Sequence, residues 1–301
     1  MNRSVSVVIP SNRRGPYLRE AVASVAAQTV PVTEIVLVDD GSPAPGLAEV
    51  AGQLGISYIR QESAGISVAR NRGVTAAKGD WIAFLDDDDV WDPRRIELQL
   101  NALDHNADAI ASFTGGWYMD SAGARFGEGW PARPASSRDM ISYAVPPPRI
   151  TTLLVRRDVY EGVGGCDPQL EPAEDNDLIL RLLQRGEFAA VDVPLVGYRR
   201  HSSNVTRRGL RGRIAGRSSV DRQLKAAKAA QDGDMVILLG SHLRAFRRNA
   251  AAENLGEIIT ALRAHDRRYA FACTWWGLSR LPINSIEAVR RRLLQRLPDR
   301  S

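Results

Sequence analysis

Four consecutive aspartates, Asp86 to Asp89, form the most chemically distinctive segment of the chain. They directly follow an apolar run, residues 81–85, with the length and composition of a buried strand. Neighbouring carboxylates repel one another, so their ionised forms need a compensating cation. Carboxylate oxygens suit Mg²⁺ or Mn²⁺, and either ion can bridge a protein carboxylate to a diphosphate. The run therefore predicts a Mg²⁺ or Mn²⁺ site. The alternative is a solvated acidic turn in which Asp89 caps the next helix.

A second acidic pair, Asp39 and Asp40, follows the apolar run at residues 34–38. A carboxylate at the end of a strand can accept hydrogen bonds from a nucleotide base or from ribose hydroxyls. The same residues open the segment Asp-Gly-Ser-Pro, which favours a turn whatever its function. The pair by itself is compatible with both a nucleotide site and a plain turn.

A third acidic group, Glu174, Asp175 and Asp177, precedes a run of leucine and isoleucine. One of these carboxylates could act as a general base that deprotonates an acceptor hydroxyl. The dipole of a helix also favours carboxylates in its first turn, so helix capping is the simpler interpretation of these residues alone. His201, one of four histidines, follows a predicted strand ending at Tyr198. It is either a structural residue or a metal ligand.

Alternating strands and helices must position these groups. Short apolar runs predict strands, and amphipathic segments between them predict helices, the second of which has Gly79 as its C-cap. The strands are predicted at residues 4–9, 34–38, 56–59 and 81–85, and the helices from Pro16 and at 67–77 and 93–103. This alternation predicts an α/β fold with a parallel sheet, in which ligands bind beyond the carboxyl ends of the strands. Ser11, the pair at 39–40 and the aspartates at 86–89 should then meet at one edge.

The rest of the chain has a different character. Strands are predicted at residues 107–113, 151–155 and 189–193, and the Gly- and Pro-rich stretches at 127–134 and 146–148 are predicted to be loops over a site. From Arg207 onward the pattern is helical and rich in arginine. We therefore expect a catalytic domain over residues 1–206 and a mainly helical region over residues 207–301.

Charge is divided unevenly between these two regions. Residues 1–206 hold 20 Lys and Arg against 27 Asp and Glu, a net charge of −7, whereas residues 207–301 hold 20 against 8, a net charge of +12. The acidic first region would repel phosphate backbones, and no nucleic-acid motif is present, so no nucleic-acid partner is expected. The basic segment at 284–297 has an amphipathic pattern typical of helices that contact a membrane surface. The simpler alternative is a helix that packs its apolar face on the catalytic domain or on a second subunit, with its arginines in solvent.

Composition also constrains the cellular setting. The 301 residues are 44% hydrophobic, enough for a substantial core, and no run reaches the roughly 18 apolar residues of a spanning helix. The two cysteines, Cys166 and Cys273, are too few for a disulfide framework and are expected to be core residues. We expect a cytoplasmic protein with a peripheral contact at the inner face of the membrane. A phosphate-binding loop, a dinucleotide fingerprint, a zinc-protease motif and a nucleophilic serine elbow are all absent from the sequence.

Taken together and in order, these segments resemble an inverting glycosyltransferase of the family-2 type with a GT-A fold. The matching segments are VSVVIPSN at 5–12, LREAVASVAAQT at 18–29, EIVLVDDGS at 34–42, GISVARNRG at 65–73, KGDWIAFLDDDDVW at 78–91, GGCD at 164–167, EDNDLILRL at 174–182 and YRRH at 198–201. The resemblance covers about residues 4–205 and is specific because the motifs occur in the family's order. The Q-x-x-R-W motif of processive polymerases is absent, which favours transfer of a single sugar.

The resemblance implies a Rossmann-like, mostly parallel central sheet flanked by helices, with the C-terminal helices as an extension. It also implies a role for each matched residue. The nucleotide pocket would be lined by Pro10, Ser11, Asp39 and Asp40, the nucleotide or diphosphate would be approached by Arg70 and Asn71, and the donor would lie beside Asp86 and Asp87. The metal would be bound directly by Asp88, through water or ribose by Asp86, and would be within reach of His201. The base would be Asp175, with Glu174 and Asp177 as alternatives.

The implied reaction is direct displacement at the anomeric carbon of a nucleoside-diphosphate sugar, with UDP the favoured nucleotide. The implied acceptor is a glycan or a lipid-linked molecule, as in the synthesis of bacterial polysaccharide or glycolipid. Two rival hypotheses share the fold: a nucleotide-sugar-binding protein without catalysis, and a nucleotidyltransferase, which would release pyrophosphate.

Overall fold

The computed structural model describes residues 3–13, 15–43, 46–201 and 209–280. The chain divides into two units, residues 1–204 and residues 205–301. The first unit contains a β-sheet with helices, and the second is helical throughout its described part.

Apolar, β-branched runs form a parallel half-sheet in the first unit. Its strands are β1 (Val5–Ser11), β2 (Glu34–Asp40), β3 (Ser57–Gln61) and β4 (Trp81–Phe84). They lie in the order β3-β2-β1-β4, and each neighbouring pair is parallel. The carboxyl ends of these strands therefore lie at a common edge of the sheet.

The other half of the sheet is mixed. It contains β5 (Val90–Trp91), β6 (Ala111–Met119), β7 (Arg125–Trp130), β8 (Leu153–Arg156) and β9 (Phe188–Arg199). The order continues β4-β8-β6-β9-β5, with β7 beside β6. Because β8 is antiparallel to both β4 and β6, those two strands run in the same direction, and β9 is parallel to β6. Strands β4, β6 and β9 thus run in the same direction, and β6 and β9 extend beyond the end of β4.

The first unit also contains helices, most of which contact a strand of the sheet. They are α1 (Leu18–Ala26), α2 (Leu47–Leu54), α3 (Ile66–Ala76), α4 (Arg95–His105), α5 (Ser137–Ile141), α6 (Arg157–Gly162) and α7 (Glu174–Leu183). Helix α1 buries Leu18, Val22 and Val25 in the same core cluster as Val7 and Ile9 of β1. Each buried side chain of this size contributes roughly 1.5–3 kcal/mol, so the apolar spacing fixes the position of α1 on the sheet.

The second unit contains three described helices, α8 (Gly209–Ala229), α9 (Gly233–Arg263) and α10 (Arg267–Arg280). A polar network links them: Arg213 of α8 donates to Asn254 and Glu257 of α9, and the Tyr269 hydroxyl of α10 donates to Glu257 over 2.6 Å. The helical C-terminal extension expected from the sequence is confirmed.

Several elements differ from those predicted from the sequence. The sheet is mixed because β8 and β5 run against their neighbours. The stretch expected as a loop at 127–134 contains most of β7, and α2 was not predicted. Helix α3 ends with Ala77 as its C-cap; Gly79 instead packs against Ser6 of β1, where a Cβ would lie 2.6 Å from the backbone nitrogen.

Two composition-based expectations have a clear outcome for the described residues. Cys166 and Cys273 are buried free thiols, as expected of core residues. Among the helices that the structure describes, none is long and apolar enough to cross a bilayer. The segment at 284–297 lies outside the described residues.

Candidate active site

The polar residues that follow β1, β2 and β4 meet at the carboxyl edge of the sheet. Ser11 at the end of β1 lies opposite Asp39 of β2 in the strand register. Its hydroxyl donates a hydrogen bond to Asp87 Oδ2, 76 residues further along the chain. The gathering expected from strand order is therefore present, and Ser11 is its central contact.

Asp39 is fully buried and accepts hydrogen bonds from three residues. The donors are the Ser42 amide (2.7 Å) and hydroxyl (2.9 Å), the Tyr58 hydroxyl (2.7 Å) and the Arg60 guanidinium (3.0 Å). Burial raises the pKa of Asp39, but the Ser42, Tyr58 and Arg60 contacts outweigh burial and lower it overall. Asp39 is thus held ionised inside the turn.

Asp40 fixes the loop between β3 and α3. Its Oδ1 accepts hydrogen bonds from the Gln61 side chain (2.9 Å) and the Ala64 amide (2.7 Å), and its Oδ2 accepts one from the Gly65 amide (3.0 Å). Pro10 is buried in β1 opposite Val38. The nucleotide contacts assigned by resemblance to these strand ends stay predictions.

The start of α3 depends on a residue that the sequence did not single out. Glu171 accepts a hydrogen bond from the Ser67 amide over 2.7 Å, which satisfies a free N–H of the first helical turn. Gly65, the N-cap, has φ +94°, and a Cβ there would lie 2.7 Å from the Glu171 carboxylate oxygens. Only glycine fits this position, so the Gly-Ile-Ser start of the helix is structurally required.

Arg70 of α3 joins two of the acidic motifs. Its side chain is 3% exposed, and it donates to Asp86 Oδ1 over 3.1 Å and to Glu174 Oε1 over 3.0 Å. Burial alone would lower the pKa of Arg70, but Asp86 above all, with Cys166, Glu174 and Asp175, raises it. The guanidinium therefore stays charged and holds the start of α7 beside the aspartate run.

Asn71, the next residue, fixes the loop before α7. Its Oδ1 accepts hydrogen bonds from the Tyr160 hydroxyl (2.7 Å) and the Cys166 amide (2.8 Å), and its Nδ2 donates to the Cys166 carbonyl (2.8 Å). Arg70 and Asn71 thus contact Glu174 at the start of α7 and Cys166 in the loop before it. Their approach to a bound nucleotide stays a prediction.

The aspartate run concentrates negative charge in a partly buried place. Burial raises the pKa of Asp87 to about 6, with Asp88 and Asp86 adding to the effect and the Ser11 hydrogen bond opposing it. Burial and the nearby Asp86 also raise the pKa of Asp88. Burial, Asp86 and Asp88 raise the pKa of Asp89 well above its ordinary value. Asp89 does not cap a helix; its Oδ1 accepts the Arg199 amide over 2.9 Å.

His201 meets Asp88 at the end of β9, with His201 Nε2 lying 2.9 Å from Asp88 Oδ2. The ring of Tyr17 lies 5.4 Å from the imidazole, and Arg199 donates to the Asp88 carbonyl over 2.8 Å. Arg199 is 1% exposed and also pairs with Glu20. Arg199 lies in the sequence motif Tyr-Arg-Arg-His, but no role was predicted for it from the sequence. Its buried guanidinium supports the backbone of the aspartate run.

The residues of the aspartate run and His201 fit a divalent cation that takes only some of its ligands from the protein and the rest from water or substrate. Within the described ranges, no group of three or more His, Cys, Asp or Glu side chains is arranged to hold a metal by itself. Asp88 and His201 supply one oxygen and one nitrogen donor side by side. Mg²⁺ commonly uses one or two carboxylates and completes its shell with water and substrate phosphates. Burial first, and then the neighbouring aspartates, raise the pKa values of Asp87 and Asp88, and a bound cation would favour their ionised forms.

The three carboxylates at the start of α7 differ in burial and in their partners. Ala173 is the N-cap, so none of the three occupies that position. Glu174 is buried against Arg70, and Asp177 is buried against Arg181 at 2.7 Å. Asp175 is the more accessible of the three, and its Oδ1 accepts the Asn176 amide over 2.8 Å.

Comparison with known proteins is consistent with this arrangement. The family model described as "Glycosyl transferase family 2" matches residues 6–163. This range contains the strand ends of β1, β2 and β4, α3, and the aspartate run.

Curated relatives match over parts of their length. An uncharacterized glycosyltransferase of Haemophilus influenzae is 28% identical over 191 residues, 61% of this chain and 63% of that protein. The succinoglycan biosynthesis protein ExoW of Rhizobium meliloti is 42% identical over 122 residues, 37% of this chain and 38% of ExoW. The putative teichuronic acid biosynthesis glycosyltransferase TuaG of Bacillus subtilis is 36% identical over 118 residues, 37% of this chain and 46% of TuaG. The chain spans less than two thirds of each of these three relatives.

Solved structures share the fold. The crystal structure of S. aureus TarS 1–349 in complex with UDP-GlcNAc superposes with a TM-score of 0.61 at 16% identity, covering 93% of both chains. A crystal structure of S. aureus TarS gives a TM-score of 0.58 at 18% identity, covering 79% of this chain and 43% of that one. The first unit of this chain, a sheet with flanking helices, therefore has a GT-A type fold.

Proposed function

The chain belongs to glycosyl transferase family 2, and on that premise we propose that it transfers a single sugar from a nucleoside-diphosphate sugar to an acceptor hydroxyl with inversion. UDP is the favoured nucleotide, and the TarS complex with UDP-GlcNAc supports a donor of this class. The observation that carries the proposal is the Arg70 bridge between Asp86 and Glu174. It joins the acidic motif that we propose for the donor side to the acidic motif that we propose for the acceptor side.

The donor side of the reaction uses the strand ends. Ser11, Asp39 and Asp40 would hold the nucleotide, with Ser11 also fixing the Asp87 carboxylate. Asp88 and His201 would hold Mn²⁺ or Mg²⁺, and Asp86 would contribute through water or ribose. Such an ion, when bound, offsets the charge that develops on a leaving diphosphate.

The acceptor side of the reaction uses α7. Asp175 is the proposed base: it takes the proton of the acceptor hydroxyl as the oxygen attacks the anomeric carbon from the face opposite the leaving group. Its partial exposure supports this choice, because a base must reach substrate. Glu174, the alternative base, is buried against Arg70, where it serves to position the helix.

The acceptor and the cellular setting follow from the relatives and the charge distribution. The relatives ExoW and TuaG are named for the biosynthesis of succinoglycan and teichuronic acid, which supports a glycan or lipid-linked acceptor. The net charge of +12 over residues 207–301 supports a peripheral contact with an anionic membrane surface. We place the protein in the cytoplasm, at the inner face of the membrane.

A donor screen tests the proposal. Purified protein is offered UDP-, dTDP- and GDP-sugars with Mn²⁺, and released nucleoside diphosphate and pyrophosphate are measured separately. Nucleoside diphosphate from one donor class, lost on adding EDTA, is the expected result. Pyrophosphate release would instead assign a nucleotidyltransferase, and binding without turnover would assign an inactive sugar-nucleotide binder. Proton NMR of the product's anomeric centre tests inversion.

A further inference from the structure

Four aromatic rings and two arginines form a cluster at the ends of β6, β7 and β9. Its members, called here the aromatic–arginine cluster, are Tyr118, Phe126, Trp130, Tyr198, Arg149 and Arg200. The Tyr118 ring is central: its centroid lies 5.2 Å from Trp130, 6.0 Å from Phe126 and 6.2 Å from Tyr198. Phe126 is 40% exposed, and the other rings are half-buried. A surface made of several partly exposed rings is unusual for a solvated sheet edge.

The two arginines lie on these rings rather than against carboxylates. The Arg149 guanidinium carbon is 4.0 Å from the Trp130 ring centroid, and Arg149 donates to the Tyr118 hydroxyl over 3.0 Å. The Arg200 guanidinium is 4.0 Å from the Tyr118 centroid. In the part of the chain that the structure describes, no carboxylate forms an ion pair with either arginine. Glu128 on β7 is exposed and pairs with neither. Two positive charges are therefore held in place without a counter-charge.

Rings and guanidinium groups together indicate a specific ligand chemistry. A sugar ring presents apolar C–H faces that pack on aromatic rings, and its hydroxyls accept hydrogen bonds from arginine. A guanidinium also matches the planar geometry of a carboxylate and binds phosphate oxygens well. A neutral glycan would leave the two charges unbalanced, and a small inorganic anion would not need four rings. The combination fits a sugar that carries a negative charge.

The cluster lies at the same sheet edge as the aspartate run. Strands β6 and β9 run in the same direction as β4 and extend beyond its end, and Gly197 of β9 pairs with Val90, directly after the aspartates. Tyr198 comes three residues before His201, and three residues of extended chain span at most about 11 Å. Arg149 precedes the turn that leads into β8, which pairs with β4. An acceptor sugar on the cluster would be one or two rings from the aspartates.

We propose that the aromatic–arginine cluster is the acceptor subsite and that it takes an anionic glycan, one bearing a carboxylate or phosphate group. The inference rests on the proposed glycosyl transfer, because the cluster is called an acceptor subsite only if that reaction occurs. The binding itself is a separate property and is measured without a donor. The rings supply the stacking surface, and the two arginines select for the charge.

Calorimetric titration of the full chain tests this binding. The probes are trigalacturonate as a carboxylate glycan, glucose 6-phosphate as a phosphorylated sugar, maltotriose as a neutral glycan, and inorganic phosphate. We expect saturable binding of at least one anionic sugar, and maltotriose binding weaker by about tenfold to a hundredfold, the range for a lost charge-assisted contact. The stronger of the two anionic probes identifies the acidic group that the subsite prefers.

Variants separate the subsite from general charge. Arg149→Gln should weaken the anionic probe by about tenfold while UDP affinity stays within about twofold. Trp130→Phe keeps a ring and should retain most binding, whereas Trp130→Ala should lose it, with thermal unfolding checked for each variant. Arg3→Gln is the matched control, since Arg3 lies 5.2 Å from the Trp81 ring centroid at the opposite edge of the sheet. It should bind as the unmodified chain does.

Defined outcomes overturn the inference. Equal affinity for maltotriose would remove the charge selection, and inorganic phosphate binding as tightly as the sugars would reduce the cluster to an anion site. No binding of either anionic sugar up to about 10 mM would exclude the subsite. An equal loss in Arg3→Gln would show a general charge effect. Saturable glycan binding with no turnover of any donor would contradict the proposed transferase function and would still support the glycan-binding site.

Discussion

Arg70 Nη1 lies 3.0 Å from Glu174 Oε1, a buried ion pair between α3 and α7 that spans 104 residues of sequence. The other end of the same guanidinium holds Asp86 at 3.1 Å. One side chain therefore sets the spacing between the aspartate run and the acidic helix. Its placement makes Arg70 a positioning residue whose loss should affect both stability and turnover.

Arg70→Met should destabilise the fold by about 3–5 kcal/mol, because it leaves buried Glu174 without its counter-charge. Urea unfolding measures the loss. The control is Arg156→Met, which removes an ion pair with Asp158 in which both side chains are exposed, and should cost no more than about 1 kcal/mol. Equal midpoints for the two variants would contradict the role given to Arg70. Arg70→Met/Glu174→Leu should recover part of the stability, since both charges are then gone.

Strand-end residues were predictable from sequence because the apolar runs and the parallel order dictate where strands end. Ser11 and Asp87 were expected at a common edge, and their hydrogen bond places them there. The antiparallel course of β8 was not predictable, because residues 151–155 are apolar in either direction. Strand β7 contains Gly127 and Gly129 at positive φ, so it reads locally as a loop.

Side-chain contacts between motifs far apart in the chain could not be predicted from the sequence either. Glu171 capping α3, and Asn71 fixing Cys166, join residues about a hundred positions apart, and no local pattern signals such contacts. The cluster around Tyr118 was missed for the same reason: its rings come from three strands, and none of those stretches is aromatic enough alone to attract notice.

Asp88→Asn should abolish metal-dependent donor turnover. Outer partners of metal ligands already contribute about 10–100-fold to affinity, so a direct ligand should contribute at least that. Mn²⁺ affinity, followed by electron paramagnetic resonance, should fall accordingly, and EDTA should stop turnover of the unmodified chain. Asp80→Asn is the control: Asp80 accepts a hydrogen bond from Ser4 at the opposite end of β4 and should leave Mn²⁺ binding unchanged. Full activity in EDTA would end the metal proposal.

Asp175→Asn should lower turnover by about 10²–10⁴-fold, the usual contribution of a general base. The amide keeps the size of the side chain, so the thermal midpoint should hardly change. Asp177→Asn is the matched control on the same helix: it breaks the Arg181 pair and should lower the thermal midpoint with a smaller loss of turnover. Near-normal turnover in Asp175→Asn together with a lowered midpoint would show that Asp175 only stabilises the helix.

Glu257 should make the second unit sensitive to acid. Burial raises its pKa, but hydrogen bonds from Arg213 and Tyr269 outweigh burial and lower it below the ordinary value of 4.5. A lowered folded-state pKa means that this stabilisation is present above pH 4.5 and is lost as the pH falls through the folded value. Glu257→Gln should therefore lower the unfolding midpoint at pH 7, and its deficit should shrink below pH 4.5. Glu253→Gln, exposed one turn earlier, is the control. A deficit that does not change with pH would contradict the assignment.

The C-terminal region should bind anionic membranes. Phe271 and Trp275 of α10 are 70% and 66% exposed and lie four residues apart, so they share a helix face. The basic segment at 284–297, outside the described residues, has the sequence pattern of an interfacial helix. Each arginine near an anionic surface adds about 1 kcal/mol, so its four arginines should give measurable binding before any apolar insertion.

Vesicle co-sedimentation decides between membrane contact and packing of the same apolar face on protein. The full chain should sediment with vesicles containing phosphatidylglycerol and stay in solution with phosphatidylcholine alone. Removing residues 284–301 should abolish sedimentation, and Trp275→Ser should weaken it, because an interfacial helix needs both charge and an apolar anchor. Raising the salt should release the protein, since exposed charges are screened over about 8 Å at physiological ionic strength. No sedimentation at low salt, with a dimer that the truncation dissolves, would assign the segment to contact between two copies of the chain.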